Sequence, residues 1–318
     1  MNVDLSAFPK ACPTRWETVE KRGTFPVAVP YPEQPWVGRM PWWDYHQLRA
    51  VRSSDLRVAA ERSLAHMRWE RDNEDDEKAS QVQTTGRALH ALLLEPETEW
   101  KRFARAPDWL TNRARKKDRE EWDGLVEEYG EDFVLRATDY DGVVGQGRVI
   151  REKPLYAGLL REGERELTVV WRDKETEVWC KARLDFLTTI LERITVLDIK
   201  GARDARPGPF SRSIQEFGYH FQGAHYLAGL AAHGIAATDY CLLASEWAAP
   251  YECQLHRMQD HLLVLAETRR DRIMADIARA EQSGVWPGYP EEVNTIGIPI
   301  WAQRDLEAEL QMEEVHGE

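Results

Sequence analysis

The stretch from Glu177 to Lys200, EVWCKARLDFLTTILERITVLDIK, leaves this chain few folds to choose from. Its first half is rich in β-formers and alternates, with Cys180, Ala182, Leu184 and Phe186 on one face and Lys181, Arg183 and Asp185 on the other. After a short connection ITVLDIK repeats the pattern, with Val196, Asp198 and Lys200 on one side and Leu197 and Ile199 on the other. Paired as a hairpin, the two strands bring Asp185, Asp198 and Lys200 to one end of a sheet. Two carboxylates and an ammonium suit phosphodiester hydrolysis: hard oxygens for a divalent metal, and a positive charge to hold the attacking water and offset developing negative charge. An Asp facing a Lys on a solvated strand is also an ordinary surface ion pair, worth little, so the hairpin alone does not choose.

A chain of 318 residues has room for one sizeable domain with appendages or for two smaller ones. With 42% hydrophobic and 31% charged residues it is globular in composition. The net charge of −13 argues against coating nucleic acid through a bulk positive field, although a local basic groove can still grip DNA. The longest apolar run, LAGLAAHGIAA from Leu227, is far too short to span a membrane, and the N-terminus has no signal-peptide core, so no membrane partner is expected. Cys12, Cys180, Cys241 and Cys253 are scattered, as in a reducing, cytoplasmic setting.

Residues 1–43 hold seven of the sixteen prolines and end in Trp36, Trp42 and Trp43, which predicts an extended or wrapping N-terminal arm. Trp43 to Glu70 looks helical, with Ser53 or Ser54 as N-cap. TTGRALHALLLEPE, Thr84 to Glu97, is apolar nearly all round and should be a buried helix, carrying His90 with Arg87 a turn before it. A histidine in a core helix is most often simply hydrogen-bonded; with two aspartates to meet, it becomes a candidate metal ligand. Lys101 to Arg119 is the one strongly basic block, either a phosphate-tracking arm or a helix start balanced by the acidic run that follows. GQGRVI lacks the strand-before, helix-after setting of a nucleotide loop. ELTVVWRD is a strand, and a simple register sets Glu166 beside the sheet edge of Asp185, where it can support the site. GARDARPGPFSRS, with Arg203, is a loop able to close over a substrate, and in the helix that follows Tyr219, Gln222 and Tyr226 share a face. Two strands, a long helix from about Asp260 to Gln282 and an acidic tail complete the chain.

His90 in GRALHALLLEP, Asp185 in KARLDF, Asp198 and Lys200 in VLDIK, and Gln222 with Tyr226 in YHFQGAHYLAG together resemble the PD-(D/E)XK nuclease superfamily. The set is most similar to the RecE-type exonuclease VIII branch, related to lambda exonuclease and RecB nuclease domains. The resemblance implies an α/β (α+β) fold with a central mixed sheet flanked by helices, a nuclease domain over residues 44–303, and an acidic tail over 304–318. Carried over residue by residue, it implies His90, Asp185, Asp198 and the Ile199 carbonyl as ligands of one or two Mg2+ or Mn2+ ions. Lys200 would position the water, Gln222 and Tyr226 would hold DNA phosphates, and Arg87, Arg183, Arg203 and Tyr219 would line the substrate path. Asp198 departs from the Glu of many relatives. Cys241 and Cys253 are too far apart, and a fourth partner is missing, for the iron–sulfur cluster of some relatives, so no cluster is expected. The implied activity is 5′-to-3′ digestion of double-stranded DNA ends in a bacterial or phage recombination setting, by a homo-oligomeric ring working with a single-strand annealing protein. A RecB-like single-strand nuclease of a repair assembly and a non-catalytic DNA-binding protein are the alternatives.

Overall fold

In the computed structural model, residues 34–73, 81–110 and 115–316 are described. Six strands form the sheet that carries the site, in the order β1 (Trp36–Arg39), β4 (Glu164–Arg172), β5 (Trp179–Ile190), β6 (Arg193–Ala202), β7 (Asp239–Glu246) and β8 (Cys253–Arg257). β2 (Ala104–Arg105) and β3 (Val134–Leu135) make a separate parallel pair. All neighbours in the large sheet are antiparallel except β6 and β7. A parallel step needs a crossover, and α8 (Pro207–Glu216) with α9 (Tyr219–Ala232) supplies it.

Helices cover both faces, which is why the central strands are apolar on both sides. On one face α2 (Ser53–Glu61), α9 and α10 (Asp260–Ser283) close over Val169, Trp171, Ala182, Leu184 and Leu242. α9 lies so close to the sheet that a Cβ on its Gly223 would come within 2.5 Å of the Tyr240 ring. On the other face α4 (Gln81–Leu94) and α6 (Ala137–Glu152) pack on Phe186, Leu197, Ile199 and Leu243. α1 (Trp42–Gln47), α3 (Leu64–Asp72), α5 (Lys116–Tyr129) and α7 (Pro154–Leu159) complete the shell.

Four features differ from the sequence reading. Trp43 to Glu70 is three short helices, the second and third each starting at a cap of its own: Asp55 accepts from the Arg52 backbone N–H at 3.1 Å ahead of α2, and Ser63 caps α3. The cap of α2 is Arg52, not Ser53 or Ser54. The stretch assigned to an N-terminal arm includes β1, an edge strand whose Trp36 is buried; the rest of the arm, residues 1–33, lies outside the described residues. At the other end α11 (Ile300–His316) runs through the expected 303/304 boundary as one helix, its described side chains exposed except for the half-buried Ala302.

The fourth difference matters most. Phe186 does not share a face with Cys180, Ala182 and Leu184: those three pack beneath α9, and Phe186 packs beneath α4. The alternation breaks at Asp185. Opposite it, Glu166 has a φ of 50°, a left-handed conformation that takes β4 out of the pleat, and the paired positions Arg165↔Phe186 and Leu167↔Leu184 flank this unpaired pair. From the same point β5 and β6 part company, since their ladder ends at Phe186↔Leu197. Val51 takes the place of β6 there: its N–H donates to the Trp179 carbonyl and its carbonyl accepts from Lys181 N–H, each at 2.8 Å. The sheet therefore opens into a slot between Asp185 and Asp198.

Candidate active site

The slot collects chemistry from both faces. From the α4 side comes His90, whose Nε2 lies 2.8 Å from the Ile199 carbonyl and whose Nδ1 lies 3.4 Å from Oδ1 of Asp185. Oδ2 of Asp185 accepts the Ile199 backbone N–H at 2.8 Å, filling the ladder bond that β5 would otherwise have supplied. Glu166, brought inward by its bent strand, joins this group: His90, Glu166 and Asp185 each offer a ligand atom within 4.8 Å of the others.

From the α9 side comes Asp198, wholly buried, with its Oδ2 against the Lys200 ammonium. Its Oδ1 accepts from Gln222 Nε2 at 3.0 Å, and the same amide donates to the Tyr226 hydroxyl at 2.8 Å. The Lys200 ammonium stands 5.0 Å from the centre of the Tyr219 ring, a cation–π contact that adds to its anchoring.

The electrostatics are strained. Burial, and next the charge of Asp198, push the Asp185 carboxyl above the usual carboxylate range, against the pull of His90 and Lys200. Burial works against the Lys200 ammonium too, but Asp198 and Asp185 outweigh it and hold its pKa above the ordinary value. Burial, and then Asp198, raise the Tyr226 hydroxyl, which stays a neutral phenol. Apart from Lys200, Oδ2 of Asp198 has no hydrogen-bond partner. A site with crowded carboxylates, an imidazole and a buried Asp198 oxygen met by Lys200 alone can take further positive charge; these hard oxygen and nitrogen donors fit a divalent ion such as Mg2+ or Mn2+.

Of the twelve residues expected at the site, the structure draws His90, Glu166, Asp185, Asp198, Ile199, Lys200, Tyr219, Gln222 and Tyr226 around the slot. Asp198 is not in the tight group with His90 and Asp185, because Lys200 and Gln222 hold it on the far side; Glu166 stands there in its place. The signal for Glu166 was its register opposite Asp185, which period two supports, but its bend is invisible in the pattern. Arg183 does not line a substrate path: its Nε donates to Glu166 Oε2 at 2.6 Å and its NH1 to the Met40 carbonyl, with only 16% of the side chain exposed. Arg87 is ion-paired with Asp132 and lies over Phe133. Arg203 is exposed just beyond β6. In the basic block, Lys101, Arg102 and Arg105 pair with Glu97, Glu99 and Asp141, while Arg115, Lys117 and Arg119 are exposed. Residues 111–114 of that block lie outside the described residues.

Compared with known families, residues 53–298 match the "PDDEXK-like domain of unknown function (DUF3799)". The chain belongs to this PDDEXK-like family. The match takes in every residue of the slot. The fold agrees: a crystal structure described as a "Putative exonuclease" from Eubacterium rectale aligns with a TM-score of 0.54 at 12% identity, over 80% of this chain and 92% of that one. A second solved structure, SSO0001, aligns over 60% of this chain and 84% of its own at 14% identity, with a TM-score of 0.26 that carries no weight. No curated protein matches the sequence. None of the described helices of this PDDEXK-like protein is long and apolar enough to cross a membrane.

Proposed function

We propose that this PDDEXK-like protein is a divalent-metal-dependent deoxyribonuclease of the RecE exonuclease type, digesting double-stranded DNA from 5′ ends and leaving 3′ single strands. The observation that carries the reading is the slot itself: His90, Glu166 and Asp185 within 4.8 Å of one another on one side, and the Asp198–Lys200 pair on the other. His90, Glu166 and Asp185 would hold the metal, with the Ile199 carbonyl beside them and Asp198 across the slot. When bound, such an ion lowers the pKa of its water and neutralises the scissile phosphate.

The chain's own residues divide the remaining work. The Lys200 ammonium, kept charged by Asp198, holds the attacking water and faces the negative charge that builds on the phosphate. Gln222 locks Asp198 and Tyr226 together, and the neutral Tyr226 hydroxyl, which accepts from Gln222, keeps its own proton to donate to a phosphate oxygen. Glu166 is tied to Arg183, which holds the bent part of β4 at the site. A homo-oligomeric ring, cytoplasmic and serving an annealing partner, is part of the same proposal. Support for assembly comes from residues 291–309, whose described side chains are exposed except for the half-buried Ala302 and include Ile296 at 92% and Trp301 at 69%.

The test is Mg2+-dependent digestion of end-labelled linear duplex beside closed circular DNA, with Lys200→Ala as control. Linear duplex is expected to be consumed from its 5′ ends while circles survive and the variant is inert. Cutting of closed circles would identify an endonuclease, and loss of 3′ ends first would reverse the polarity.

A further inference from the structure

The turn between β7 and β8 lays an aromatic ring across β6 next to the slot. Trp247 donates its backbone N–H to the Ala202 carbonyl at 3.0 Å, and a Cβ on Gly201 would fall 1.8 Å from the indole, so the ring rests on bare Gly201 backbone. The turn is seated on α6: the Trp247 carbonyl lies over Gly142, and the Tyr251 ring occupies the space a side chain at Gly145 would need. Gly145 of that helix makes room for this turn. Fixed at these points, Trp247 still keeps 36% of its surface exposed.

Gly201 adjoins Lys200 and shares a face of β6 with Ile199, about 6.6 Å away along the strand. That distance is about two base steps of a nucleic acid strand. Arg203, exposed, follows at the end of the same strand. An indole seated on backbone with part of its surface open, on the α4–α6 side of the sheet from which His90 reaches the slot while Lys200 points to the α9 side, has the parts of a stacking subsite for a nucleotide chain.

We propose that Trp247 is a stacking platform for the nucleobase beside the scissile phosphate, and that the strand is unpaired at that nucleotide. The inference rests on the nuclease reading and deepens it. An intact duplex terminus offers the indole only the outer face of its last base pair, whereas an unpaired nucleotide can turn to lie on the ring with its phosphate at the slot, so the substrate proposed is a frayed end. Stacking uses the π-face that every base has, so the preference is for an unpaired nucleotide and not for a sequence. Trp247 positions the strand and takes no part in the proton chemistry.

The test scans a single abasic nucleotide through the first positions of the 5′-ended strand of a fluorescein-labelled duplex. Kd is measured in Ca2+ for the full-length wild type, Trp247→Ala and Trp247→Phe, with a thermal melt of each protein. Wild type is expected to lose on the order of tenfold at one abasic position. Trp247→Ala should lose a similar factor on intact DNA and then be indifferent to the abasic change, while Trp247→Phe keeps most of the affinity and the sensitivity. A duplex carrying an unpaired terminal nucleotide should bind wild type more tightly than a blunt one, and Trp247→Ala should not distinguish them. Additive losses, with Trp247→Ala as sensitive to the abasic position as wild type, would overturn the inference and leave the nuclease reading standing. Absence of binding to any of these DNAs by wild type would overturn both.

Discussion

β5 passes two buried charged clusters, and they are built on opposite rules. Near its start, the Asp173 carboxylate accepts from Arg270 at 2.6 Å and from the Thr176 backbone N–H and hydroxyl. Arg270 continues to Asp271 and to Nδ1 of His225, whose Nε2 faces the carbonyls of Val51 and Lys181 at 3.2 Å each. The Lys181 ammonium donates to the carbonyls of Tyr45, His46 and Leu48, using all three protons. Despite its burial, Asp173 is held below the usual carboxylate range by the Arg270 charge. Four residues beyond Lys181 along β5, at the slot, the opposite holds: Asp185 is pushed up, and Oδ2 of Asp198 has the Lys200 ammonium and no other hydrogen-bond partner. A satisfied cluster holds a fold; a crowded one waits for something. The first pins α9 and Val51 to β5, and so fixes the helix from which Gln222 and Tyr226 reach the second.

Mutations should separate the two. The largest effect is expected for Lys200→Ala, which should reduce digestion of linear duplex by roughly 10²–10³ or more with little change in the urea midpoint. Asp173→Ala should do the reverse in kind. It leaves the buried Arg270 with only the outer carboxylate of Asp271, at about 3 kcal/mol of stability measured by urea denaturation. Should Asp173→Ala leave stability intact, the first cluster is not what holds α9. Asp185→Asn sharpens the contrast further. Removing a carboxylate that burial and Asp198 disfavour should raise stability by about 0.5–2 kcal/mol while abolishing digestion. A loss of stability on that substitution would mean that the slot is held together by its charges.

The smallest expected effect concerns pH. His225 is depressed from 6.5 to about 3, first by burial and then by the Arg270 charge, so the folded protein keeps it neutral where the unfolded chain would take up a proton. Stability from this group is complete above pH 6.5 and is lost as pH falls from there towards 3. One pH unit below 6.5 the loss is about 1 kcal/mol. It should appear as the difference in urea-midpoint slope between wild type and His225→Gln over that range; equal slopes would place the proton elsewhere.

The sequence showed much of this and hid a definite part. Period two in β5 and β6 set Asp185 opposite Asp198, and the spacing in α9 put Gln222 and Tyr226 on one face with Tyr219. Hidden was the slot itself, which depends on the left-handed Glu166, on Val51 replacing β6 and on Asp185 filling a backbone hydrogen bond. Alternation assumes an unbroken pleat, so it misplaced Phe186 and gave Glu166 only a supporting place. Arg183 was placed on the substrate path because a strand pattern says which side a residue faces and not what waits there. β1 was lost among prolines, since a strand of four residues at an edge carries almost no periodic signal.

Titration calorimetry with Mn2+, in the absence of DNA, addresses the central claim most directly. Wild type and Lys200→Ala should both bind the ion, while His90→Ala and Glu166→Gln should bind it markedly more weakly. Equal binding by all four proteins, or none by wild type, would contradict the account of the slot as a metal site.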